Sequence, residues 1–155
     1  MAGKTNNQKA GSPRSAARLA AVQALYQLAT SDTDKADLVA SEFVAHRLGA
    51  EIEGEQFVDA DKALFTDLLK GSWDRRDELD SVIEPFLSAN WALDRIEPIL
   101  HAIFRAGTYE LVARPDVPTA VIINEYVDVA HAFYERTEAS FVNGVLDKIA
   151  KSVRT

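Results

Sequence analysis

Residues 141 to 153 read FVNGVLDKIAKSV, and the parsing of this stretch decides the fold. Asn143-Gly144 is a strong hairpin signal, but a hairpin needs flanks that alternate with period two. Here Val142, Val145, Leu146, Ile149 and Val153 recur at three and four residues, the period of a helix with one apolar face. The hairpin reading therefore fails. The stretch is a terminal amphipathic helix, and Gly144 is expected to let a neighbouring helix approach closely.

The same period runs upstream. Ile122, Tyr126, Val129, Ala130 and Phe133 mark one helix, and Ile99, Ile103, Phe104, Gly107 and Leu111 mark another that Pro98 can start. Between them Arg114-Pro115-Asp116-Val117-Pro118 is a linker, because each proline forces the residue before it towards extended geometry. Leu79, Val82, Ile83 and Phe86 form a shorter stripe that Pro85 interrupts. Leu64, Phe65, Leu68, Leu69, Ser72 and Trp73 form a further one, and Leu38, Val39, Phe43 and Val44 predict a helix over 36–48 closed by Gly49. The acidic stretch Glu51 to Glu55 reads as a loop. Ser12 and Pro13 supply an N-cap and a first helical residue for the stripe Leu19, Val22, Tyr26 and Ala29. No segment alternates as a strand would. The expected fold is all-α, about seven helices in one domain over 12–155, grouped roughly as 12–84 and 85–155. Residues 1 to 11, rich in Gly, Asn, Gln and Lys, read as a flexible basic arm.

Composition narrows the function. The chain has 155 residues, 47% of them hydrophobic, enough for a core without disulfide or metal, and it has no cysteine. Disulfide frameworks, cysteine-zinc sites and thiol nucleophiles are excluded. No apolar run approaches the roughly 20 residues of a membrane span, and the N-terminus lacks the apolar core of a signal peptide, so a soluble cytoplasmic protein is expected. The net charge of −7 is unevenly placed: Met1 to Ser31 holds Lys4, Lys9, Arg14 and Arg18 and no acid, giving +4, and the remainder carries −11. A basic arm on an acidic body is a recognised nucleic-acid pattern, although a solubilising tail gives the same charges.

Enzyme signatures are absent: there is no GxGxxG, P-loop, GxSxG or HExxH. His46, His101 and His131 stand apart, without a partner at ligand spacing, so no metal or cofactor is expected. Asp59/Asp61 and Asp77/Glu78/Asp80 suit helix starts and solvated faces. Arg14 and Arg18 are four residues apart on one side of the first helix, beside its unpaired N–H groups. They either take phosphates there, with Lys4 and Lys9 following the backbone, or pair with acids of the body. On the last helix Phe141 lies about 90° off the centre of the apolar stripe, with Lys148 beside it in projection and Gly144 nearby. This is either a base-stacking ring with a phosphate contact or an aromatic at the edge of the core.

Taken together, ARLAAVQALYQL (17–28), FTDLLKG (65–71), FRAGTYEL (104–111) followed by DVP (116–118), INEYVDVA (123–130) and FVNGVLDKIA (141–150) resemble the NusB family of bacterial transcription antitermination factors. The resemblance spans nearly the whole chain. It implies two small helical bundles, no catalytic activity, and binding of boxA RNA in ribosomal RNA transcripts together with NusE, the small-subunit ribosomal protein S-ten, within the RNA polymerase elongation complex. It places the family's arginine-rich motif on Arg14 and Arg18, less firmly on Lys4 and Lys9, and an RNA-contacting aromatic on Phe141. Tyr26, in the QALY block, falls either on the expected NusE-facing surface or, being on the apolar side of its helix, in the core. SPRSAAR carries fewer arginines than this motif often does. The resemblance also implies structural roles for Arg105, Tyr109 and Glu110 in helix packing and for Asn124-Glu125 in tying neighbouring helices. Two other readings stand beside it: a domain related to those of RNA cytosine methyltransferases, and a purely protein-binding module that self-associates as a homodimer.

Overall fold

The computed structural model describes residues 12–31, 36–46, 51–52, 55–56, 61–88 and 91–154. Seven α-helices occur among them: α1 (Pro13–Thr30), α2 (Ala36–His46), α3 (Lys62–Asp74), α4 (Arg76–Ile83), α5 (Pro98–Ala113), α6 (Thr119–Phe133) and α7 (Arg136–Val153). The fold is all-α, as its apolar periodicity predicts. The expected arm, residues 1–11, and the expected C-cap Gly49 lie outside the described residues.

Local chemistry sets the helix ends. Ser12 Oγ accepts from the Ser15 N–H at 3.3 Å with Pro13 at the first helical position. Asp61 likewise caps α3 through the Leu64 N–H at 2.9 Å, which gives one of the acidic residues a structural role. Pro85 ends α4 by forcing a single 3-10 turn, Glu84–Phe86. Pro118 caps α6, while Arg154, just past α7, donates to the carbonyls of Glu110, Leu111, Arg114 and Val117. The Glu110 and Arg114 carbonyls also accept the backbone N–H groups of Arg114 and Val117, whereas Leu111, four residues before Pro115, has no helical N–H to accept from, and Arg154 supplies its donor. Where a loop is expected, Glu51–Ile52 and Glu55–Gln56 pair as a minimal antiparallel ladder.

Helix α5 is the centre. It packs against α1, α3, α4, α6 and α7, and the buried apolar side chains form one continuous core. Around it α1, α2 and α3 make one group, with Phe43 and Phe65 stacked at 5.6 Å, while α6 and α7 pair on the other side. Half of the buried residues of α1 are alanine (Ala17, Ala20, Ala21, Ala24), so α3 and α5 can approach its backbone closely.

The expected role of Gly144 is corrected. A Cβ at Gly144 would meet nothing within 4 Å, so this glycine faces open space and no helix approaches it. Close approach occurs instead at Gly71, where a Cβ would run into the Tyr109 ring, and at Gly107, which Leu146 and Tyr126 crowd.

Candidate nucleic-acid interface

The first helix presents Arg14 but withdraws Arg18. Arg14 is exposed, in a first turn that contains no acid, and has no ion pair among the described residues. Arg18 is only 3% exposed. Its Nε and Nη2 donate to the two carboxylate oxygens of Glu110 at 2.7 and 3.0 Å, and its Nη1 donates to Glu125 at 3.1 Å. The expectation of two arginines side by side for phosphates is thus corrected for Arg18, whose charge is spent on acids of the body. Burial works against that charge, yet the Glu110 carboxylate more than offsets it and raises the guanidinium pKa further.

The Arg18 site is the hub of the fold. Glu110, fully buried on α5, also accepts from the Tyr126 hydroxyl of α6 at 2.6 Å. Glu125 accepts a further bond from Ser15 Oγ at 2.7 Å. This network ties α1 to α5 and α6 and fixes the angle at which the first turn, with Arg14, leaves the body. Burial, then Glu110, pushes the Tyr126 hydroxyl pKa well above its ordinary value, so it stays a donor. The packing roles expected of Glu110 and Glu125 take this form.

A second set of ion pairs holds α4 and α3 to α5. Asp80 receives both Arg105 nitrogens at 2.9 and 2.7 Å and stands 2.7 Å from His101 Nε2. Burial alone would raise the Asp80 carboxyl, but the bonds from His101 and Arg105 outweigh it and hold the pKa down at about 2. Tyr109 donates to Asp67 at 2.7 Å, and burial followed by that carboxylate pushes its hydroxyl up to about 12.

On α7, Phe141 is half-buried. It lies 4.5 Å from the Trp91 ring and meets Phe104 edge-on at 5.5 Å. Lys148 is exposed and has no ion pair among the described residues, the adjacent Asp147 being taken by Lys151 at 3.1 Å. Tyr26, placed by sequence in the apolar stripe of the first helix, is 40% exposed, and Ala29 of that stripe is exposed too; the buried side runs through Ala17, Ala21, Leu25 and Leu28 instead. Lys4 and Lys9 lie outside the described residues.

Two residues escaped the sequence reading as site components. Trp91 gave no signal beyond opening a short irregular piece. Glu110 read as a packing residue, with no sign of its partner 92 positions away. Among the described residues no group of three or more His, Asp or Glu side chains is placed to hold a metal, and no helix is long and apolar enough to cross a membrane.

Comparison with known proteins follows the same lines. The NusB family profile matches residues 15–151. The chain is 53% identical over 147 residues to the transcription antitermination protein NusB of Novosphingobium aromaticivorans, covering 95% of this chain and 99% of that one. It is 51% identical over 148 residues to the NusB of Sphingopyxis alaskensis, covering 96% and 98%. Among solved structures, T. maritima NusB superposes with a TM-score of 0.75 at 26% identity, covering 93% of this chain and 94% of that one. A complex of the antitermination factors NusB and NusE with double-stranded RNA gives a TM-score of 0.73 at 22% identity, covering 90% and 97%, and shares the fold. On sequence over nearly its full length and on architecture, the chain belongs to the NusB family of non-enzymatic transcription antitermination factors.

Proposed function

We propose that this protein binds the boxA element of ribosomal RNA transcripts together with NusE and acts within the RNA polymerase elongation complex. The observation that carries the reading is the placement of charge. In a chain of net −7, five exposed cations, Arg14, Lys62, Arg95, Arg136 and Lys148, have no carboxylate partner among the described residues, and two of them stand where RNA is expected, Arg14 at the base of a basic arm and Lys148 on the face that also holds Phe141. In an acidic body, cations left unpaired at two such places suit a polyanion. The related complex of NusB, NusE and double-stranded RNA supports the choice of partners. An acidic surface also suits a basic ribosomal protein, with Tyr26 offering an exposed aromatic anchor on α1. In this reading Arg14, Phe141, Lys148 and the arm residues Lys4 and Lys9 serve RNA, Tyr26 serves NusE, and Arg18 serves RNA only indirectly by anchoring α1.

Fluorescence anisotropy tests this with a labelled boxA RNA and a scrambled control, with and without NusE, at several salt concentrations. The expected result is tighter boxA binding in the presence of NusE. For four to five phosphates engaged, log K falls with log salt at a slope of about −3. A slope near zero, or equal binding of both RNAs with NusE present, refutes it.

A further inference from the structure

Phe104, Phe141 and Trp91 form a row of rings that starts in the core. Phe104 is fully buried, Phe141 touches both of the others, and Trp91 ends the row, half-buried. The Trp91 and Phe141 planes lie 32° apart with centroids 4.5 Å apart, so the indole rests on the phenyl ring. A tryptophan sunk into a core usually finds an acceptor for its N–H. The Nε1–H of Trp91 has none among the described residues, and the indole keeps open surface. On α7, Phe141, Gly144 and Lys148 follow one another at three and four residues, on one helix face. The middle position is open surface, with nothing within 4 Å of a Cβ, and the last is an exposed, unpaired cation about two turns along.

We propose that Trp91, rather than Phe141, is the ring on which an unpaired base of single-stranded RNA stacks. Phe141 is the positioning residue that holds the indole, and Lys148 takes a neighbouring phosphate across the open surface at Gly144. The inference rests on the RNA-binding reading above and deepens it by naming the strand form the site takes. A base within an A-form duplex is stacked on its neighbours and closed to a side-chain ring, so the site selects a single strand or a loop. Both rings are half-buried, so the number of rings already packed on each distinguishes them. Phe141 already has rings against it from two residues, whereas Trp91 has one.

The chain's two tryptophans make the test direct. Trp73 is buried, with the Arg76 guanidinium 4.1 Å over its ring, and Trp91 is the half-exposed one. Intrinsic fluorescence is followed while a short single-stranded boxA RNA, and then the same RNA annealed to its complement, is titrated into the full chain with NusE. Anisotropy of a labelled strand reports binding in parallel. Single-stranded RNA is expected to quench the emission. In Trp91→Phe, where only Trp73 emits, the quenching is lost although RNA still binds. Trp91→Leu weakens single-strand binding by about 5- to 100-fold, more than Phe141→Leu does. Lys148→Ala flattens the salt slope by about 0.7. Binding by anisotropy without quenching, equal quenching by the duplex, or a larger loss in Phe141→Leu than in Trp91→Leu overturns the assignment to Trp91. Absence of any RNA binding overturns the functional reading along with it.

Discussion

Replacing Arg18 with methionine separates a structural arginine from an RNA-binding one. The guanidinium is 3% exposed and makes its contacts at 2.7, 3.0 and 3.1 Å with two carboxylates, one of them fully buried. Methionine fills much of the same volume but leaves Glu110 with only the Tyr126 hydroxyl. Removing one partner of a buried pair typically costs about 3 to 5 kcal/mol, because the remaining charge is desolvated without compensation. For a chain of this size that corresponds to a fall of roughly 6 to 20 °C in Tm. Adding Glu110→Gln removes the stranded charge and still offers Tyr126 an acceptor, so the double variant should recover at least half of the loss. Urea unfolding followed by circular dichroism measures all four proteins. A loss below about 1 kcal/mol in Arg18→Met, or a double variant as unstable as the summed singles, refutes the buried-pair argument. Full stability combined with lost RNA affinity would return Arg18 to the phosphate site.

Further outcomes follow from the same geometry. The depressed Asp80 carboxyl contributes stability that is present above the unfolded value of about 3.9 and is lost as pH falls through about 2. Acid unfolding between those limits should therefore be shallower in Asp80→Asn, by about 1 to 2 kcal/mol after solvent screening. Gly71→Ala should cost about 1 to 3 kcal/mol by driving a methyl into the Tyr109 ring, which Asp67 holds in place, whereas Gly144→Ala should stabilise by about 0.5 to 1 kcal/mol. Thermal melts of the pair check both signs. Arg14→Ala should weaken RNA of any sequence and flatten the salt slope by about 0.7, with no change in Tm. Tyr26→Ala should weaken NusE binding by at least about tenfold in calorimetry and leave the thermal melt unchanged.

The helices were legible because their cause is local. Apolar residues at three and four positions, Ser12, Asp61 and the prolines at 13, 85, 98 and 118 act within one or two turns, so the chain's own neighbours dictate seven helices and their ends. The terminal helix shows the rule against a competing signal. Asn143-Gly144 invites a turn, but a turn without alternating flanks has no ladder to join, and the 3.6 period prevailed. The same locality explains the errors. Gly144 reads like Gly71 or Gly107 in sequence, yet only packing decides that a tyrosine ring lies over Gly71 and a leucine beside Gly107 while nothing covers Gly144.

The sequence by itself determined the fold class, the net positive, acid-free first 31 residues, and the family. Tertiary structure alone decided which charges are free. Arg14 and Arg18 are chemically identical and one helical turn apart on the same side of α1, but Arg18 meets Glu110 from 92 positions away, and Arg14, a turn nearer the end of the helix, meets solvent. In the same way Trp91 and Phe104 arrive from other parts of the chain to meet the Phe141 ring. Periodicity states which side of a helix is turned inward. It carries no record of what waits there, since that depends on the packing of elements distant in sequence, and it is this packing that sets the desolvation and pairing of each charge.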